Sequence, residues 1–371
     1  MPPPPVLARG STWDVFCRVV DNFGDVGIAW RLCRNLVRHG LSLRLFIDDA
    51  SALRWMSKRP EPPVRVLPWA QADAAAAQQP PVVLETFGCG LPPAYRAALA
   101  ARQPQPLCIN VEHLSAEPYV ERSHRLPSPQ HDGLTTWFFY PGFTANTGGL
   151  LREPELPARQ TEARVARLWG DLGITPQPGE QLVSLFCYPD SPLQALRHAL
   201  SSSRCCVLLC PGKAQAQWLE LDGTGAPTPG VRSLALPWLD QDDYDTLLAG
   251  CALNFVRGED SAVRAQWAGR PFVWQLYPQE DGAHADKLEA FLQRHLGGAS
   301  PDTAASVAAL WRAWNRLGPW PTRWPVATAW EPLAQAWSHD LRAQPDLCTQ
   351  LLAFVADRIE GFAPRAQANP H

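Results

Sequence analysis

"DVFCRVVDNFGDVGIAWRLCRNLVRHG", residues 14–40, decides the fold. Its opening apolar run predicts a strand over 14–20. Beyond "DNFGDVG" (21–27), Ile28, Leu32, Leu36 and Val37 share one helical face, which predicts a helix over 28–39. Gly24 and Gly27 permit a tight turn between the two, and Asn22 and Phe23 complete it. Strand, turn and helix in that order open a βαβ unit.

The same alternation continues outward. Further strands are expected at 41–48, 64–69, 82–88, 106–114 and 135–142. After a stretch over 152–180 rich in proline and charge, the pattern restarts with strands at 181–188, 205–210, 230–238, 251–258 and 271–277. Helices are expected from Ser191, Asp240 and Asp260, and then over 284–296, 303–316, 330–343 and 346–360. Short apolar strands alternating with helices indicate parallel sheets covered on both faces. The chain of 371 residues suits two such domains, 1–155 and 156–345, with a last helix over 346–371 that can pack back on the first.

Composition excludes several classes. A hydrophobic share of 46% with net charge −3 describes a globular protein with no basic excess for nucleic acid. No run approaches the ~18 apolar residues of a membrane span, and "MPPPPVLARGSTW" lacks the apolar core of a secretory signal. The ten cysteines fall mostly inside apolar runs and lack zinc-ribbon spacing, so buried reduced thiols, a cytoplasmic setting and no metal site are expected.

In open α/β sheets ligands bind beyond the carboxyl ends of the strands, so the loops after strands carry the chemistry. The turn 21–27 is neither a dinucleotide fingerprint nor a P-loop, and its charges are two acids, Asp21 and Asp25. Asp25 has two readings, a helix cap or a functional carboxylate. In "FVRGEDSAVRAQW" (255–267) a strand ends at Arg257-Gly258, and Glu259, Asp260 and Ser261 open a helix. Such a start offers N–H groups to a diphosphate and Glu259 to sugar hydroxyls, or is simply a capping sequence. "LPWLDQDDYD" (236–245) sets Trp238 and Tyr244 about Gln241, as a nucleobase-stacking site does, and "LFCYPDS" (185–191) sets Phe186 and Tyr188 at a strand end. Aromatic residues at such positions also serve as core.

Together, "DVFCRVVDNFGDVGIAWRLCRNL", "YPGFTANTGGLL", "LFCYPDSPL" and "NFVRGEDSAVRAQWAGRPFVWQLYPQEDGAHADKLEAF" resemble the EarP family of elongation factor P arginine rhamnosyltransferases, from about residue 14 to about residue 360. The resemblance implies a GT-B glycosyltransferase fold, two Rossmann-like domains facing across a cleft. It also implies inverting, metal-independent transfer of L-rhamnose from dTDP-β-L-rhamnose to an arginine of elongation factor P, with no further cofactor. Carried over motif by motif, it makes Asp25 the general base and Asp21 its companion. Glu259, Asp260, Ser261, Phe186, Tyr188 and Gln241 fall to the donor. Trp238 and Tyr244 stand where the family often carries phenylalanine, which preserves stacking and alters pocket width.

That chemistry accounts for acids in a tight turn: a guanidinium acceptor is a cation, and carboxylates hold its planar fork. Rival readings are another GT-B enzyme, an epimerase or a glycan transferase, and a non-catalytic module that binds elongation factor P. The turn offers an epimerase no basic partner, and a pure adaptor has no need of the acids.

Overall fold

β1 (Thr12–Cys17) stops three residues before the apolar run does. The N–H groups beyond it are taken by carboxylates instead of a neighbouring strand: Val19 N–H donates to Asp48 Oδ1 at 3.0 Å and Val20 N–H to Asp25 Oδ2 at 2.7 Å. The chain thereby leaves the sheet and turns into the helix Gly24–Arg38, which begins earlier than its apolar face suggests. This computed structural model describes residues 10–20, 23–57, 64–224, 228–279 and 282–362.

Six more strands join the first sheet: β2 (Ser42–Ile47), β3 (Val64–Pro68), β4 (Val82–Thr86), β5 (Leu107–Val111), β6 (Pro127–Pro129) and β7 (Thr135–Phe139). Their order is β3-β2-β1-β4-β5-β7-β6, parallel except for β6 against β7. The sequence pattern did not predict β6; two prolines in three residues suit only an edge position. The second sheet holds β8 (Gln181–Leu185), β9 (Cys205–Leu209), β10 (Val231–Ala235), β11 (Leu253–Arg257) and β12 (Phe272–Gln275), all parallel, in the order β10-β9-β8-β11-β12. A helix over Lys213–Thr224, which sets Ala214, Trp218 and Leu221 against the second core, crosses from β9 to β10 and was not predicted.

Both sheets reverse their winding beside the first strand, between β1 and β4 and between β8 and β11. Ligand crevices in open sheets form at such reversals. The turn after β1 lies at one of them and the start of the helix Gly258–Ala268 at the other.

Val15, Leu45, Leu84 and Ile109 fill the first core, and Val183, Val207, Phe255 and Val273 the second. The helix Leu347–Phe362 places Leu347, Cys348, Leu351, Phe354 and Val355 in the first core, although it follows the second sheet in the chain. All ten cysteines are thiols, nine of them buried and Cys89 partly so.

Candidate active site

Gly24 comes first in its helix, and Phe23, its cap residue, gives no side-chain cap. Asp25 is therefore not the N-cap of the bland reading. It sits in the first turn, 8% exposed, and its carboxylate reaches back to the Val20 N–H, tying the turn to the end of β1. Asp21 and Asn22 lie outside the described residues.

Across from this turn, Gly258 bends the chain with φ +68° where β11 meets its helix. Arg257 at the cap position leaves the first-turn N–H groups without a side-chain cap. Its guanidinium lies against two aromatic rings, 4.4 Å from the Phe186 centroid and 4.7 Å from that of Tyr188, and donates to the Cys187 carbonyl at 3.1 Å. Those contacts hold a positive charge beside a helix N-terminus, a pairing suited to a diphosphate.

Between the two halves runs a narrow cleft that opens to solvent, with an enclosed volume of about 80 Å³. Phe23, Gly24, Arg31 and Trp55 line it from the first half, and Phe186, Trp238, Gln241, Tyr244, Arg257, Asp260 and Ser261 from the second. Trp238 packs on Trp55, centroids 4.4 Å apart and planes tilted by 33°, and meets Phe23 edge-on at 5.2 Å. Gln241 donates through Nε2 to the Gly27 carbonyl at 3.0 Å, and its Oε1 is buried without a partner. Burial carries the Tyr244 phenol well above its ordinary pKa.

Other candidates sit beside the cleft rather than on its wall. Tyr188 is buried, with its N–H on Gln275 Oε1 at 2.8 Å. Gly27 is a place of close approach: a Cβ there would meet Asp260 Oδ2 at 3.0 Å. Glu259, read from the sequence as free for sugar hydroxyls, is engaged by protein. It accepts from Leu114 N–H at 2.8 Å and Lys287 Nζ at 2.7 Å, with His113 Nδ1 at 3.2 Å. Burial alone would raise its carboxyl, but Lys287 and His113 outweigh that and hold it down at about 2.

Asp260, on the cleft wall, is engaged by protein as well. Arg31, fully buried on the first helix, pairs with it at 2.9 Å, with Asp245 at 3.1 Å and with Glu153 at 3.2 Å. Arg264 adds contacts of 2.8 Å to Asp245 and 2.9 Å to Glu153. Burial keeps the Asp260 carboxyl above its ordinary pKa even against Arg31 and Arg264. The sequence reading missed this network. A visible signal was the stripe Arg31, Arg34 and Arg38 on the side of the helix opposite its apolar face. Among the described residues no three His, Cys, Asp or Glu side chains converge as a metal site would require.

Residues 13–356 match the family described as Elongation-Factor P (EF-P) rhamnosyltransferase EarP. The chain belongs to the EarP family. It is 45% identical to a protein-arginine rhamnosyltransferase of Pseudomonas putida over 384 aligned positions, which cover 94% of this chain and 100% of that one. A solved structure described as the structural basis for EarP-mediated arginine glycosylation of translation elongation factor EF-P is similar at TM-score 0.63 and 31% identity, covering 93% of this chain and 99% of that one. At 12% identity and TM-score 0.54, over 93% of this chain and 99% of that one, Os79 from O. sativa in complex with UDP shares the fold alone. The fold of this EarP-family chain is GT-B, with its two α/β halves facing across the cleft.

Proposed function

We propose that this protein transfers L-rhamnose from dTDP-β-L-rhamnose to an arginine side chain of elongation factor P, with inversion and without a metal ion. Family membership supports the class of reaction. The observation that carries the reading is the meeting of the Asp25 turn and the uncapped start of the Gly258 helix at one cleft, each at the winding reversal of its own sheet.

In this reading Trp238 and Tyr244 stack on the base and Gln241 Oε1 accepts from its edge. Arg257, Ser261 and the first-turn N–H groups take the diphosphate, and Glu259 and Asp260 brace that helix from below. Asp21 is proposed as the companion of Asp25.

Asp25 does not strip the guanidinium before attack. An arginine at ~13.8 and an ordinary aspartate at ~3.9 differ by roughly 10 units, about 13 kcal/mol. Asp25 instead orients one terminal nitrogen and takes its proton as the new N–C bond forms and that nitrogen becomes acidic. The C–O bond to the diphosphate breaks on the opposite face, and the helix start stabilises the departing charge. One proton leaves with each transfer, and the product guanidinium keeps its positive charge.

Incubating the protein with elongation factor P and dTDP-β-L-rhamnose, in the presence of a chelator, tests this. Intact-mass spectrometry is expected to show one added deoxyhexose, and NMR an α-linked sugar on arginine. An unmodified acceptor, free sugar alone or a β linkage contradicts the proposal.

A further inference from the structure

His113 follows β5 at the carboxyl edge of the first sheet, and its side chain is 55% exposed. Its ring lies on Phe87, centroids 4.5 Å apart and planes 19° from parallel. Phe87 belongs to the loop after β4, where it takes φ +58°. The stack fixes the imidazole plane and sets Nδ1 3.2 Å from Glu259 Oε1. The same carboxylate takes the Leu114 N–H from the first half and Lys287 from the second. A group in the first turn of the diphosphate-side helix is thus gripped from both sides of the cleft.

We infer that His113 is a positioning residue for the transfer: its imidazole, stacked on Phe87, holds Glu259, and with it the head of the Gly258 helix, in register with the Asp25 turn. This rests on the rhamnosyltransferase reading above. The titratable groups facing His113 are Glu259, Lys287, Asp25 and, beside it in the chain, Glu112. Burial pulls its pKa down and Lys287 adds to that, but Glu259 chiefly, with Asp25, outweighs both and raises it above the ordinary value. Glu259 stays ionised throughout the working range. The clasp is therefore complete at lower pH and weakens as pH rises through the His113 pKa, when the imidazole loses its charge.

Two variants separate positioning from bulk. His113→Phe keeps the stack on Phe87 and removes the donor; His113→Asn sets an uncharged N–H near the place of Nδ1. With elongation factor P as acceptor, His113→Phe is expected to lower kcat about tenfold at pH 7, the scale of one hydrogen bond to a charged group. Donor Kd is expected to stay within about threefold. His113→Asn recovers most of the rate, and lacks the decline that wild type shows on the alkaline side. Unchanged kcat in His113→Phe overturns the inference, as does equal loss of kcat, donor affinity and Tm in both variants. NMR titration of the His113 imidazole gives a readout independent of turnover. Glu259→Gln is expected to lower its pKa, and an unchanged value defeats the clasp. Wild-type protein that transfers no rhamnose defeats the parent reading, and the titration still decides this one.

Discussion

Gly27 meets the other half of the molecule at contact distance, with Asp260 Oδ2 3.0 Å and Gln241 Nε2 3.4 Å from where a Cβ would stand. Asp260 cannot simply swing aside, because Arg31 holds it. Gly27→Ala gains ~1 kcal/mol of helix propensity, but crowding at a packed contact costs about 1–3 kcal/mol. Gly170, also helical, has nothing within 4 Å. Gly170→Ala is expected to raise the urea midpoint and Gly27→Ala to lower it; equal gains would show that the contact is soft. His295 gives a second prediction at this scale. It is buried among Phe272, Phe291, Trp311 and Trp337 with neither nitrogen partnered, and burial pushes its pKa down to about 3. A folded pKa below the unfolded ~6.5 means that stability is lost as pH falls through that window, by about 2 kcal/mol between pH 6.5 and 5. His295→Phe is expected to remove that share of the acid sensitivity. Denaturation at the two pH values checks it, and an unchanged difference refutes it.

The helix Gly24–Arg38 does two jobs at once, carrying Asp25 in its first turn and an arginine stripe along the face it turns to the second half. Arg31 is fully buried against Asp245, Asp260 and Glu153, whereas Arg38 meets Glu155 near the surface. Removing one member of a buried charge cluster leaves the others uncompensated, at a cost of about 3–5 kcal/mol, while a surface pair contributes ~0–1 kcal/mol. Arg31→Met is expected to destabilise by the larger figure and Arg38→Met by the smaller in chemical denaturation. Similar small losses for both would mean that the network does not hold the halves together. At this scale the sequence was most legible. Short continuous apolar runs marked eleven of the twelve strands among the described residues, because burial on both faces of a parallel sheet writes itself directly into composition. Strand ends ran long, as at Arg18–Val20, because carboxylates compete for N–H groups that an apolar run cannot reveal.

Across the whole molecule the account depends on two sheets of like winding meeting at their reversal points. The motifs were legible there one at a time, since each follows a strand. Their partners were not: Glu259 reaches Leu114 over 145 residues, and Arg31 reaches Asp245 over 214. Such pairs leave no local pattern, which is why the bracing of the two halves by the Glu259 and Asp260 carboxylates was not legible in the sequence. The division of labour is the central claim: the second half holds the nucleotide sugar, and Asp25 of the first performs the chemistry. Single-turnover transfer by Asp25→Asn, measured beside calorimetric binding of dTDP-β-L-rhamnose, tests it most directly. The account predicts a rate lower by ~10²–10⁴, the range for a lost general base, with donor Kd nearly unchanged. A near-normal rate, or a donor affinity that falls in step with the rate, would contradict it.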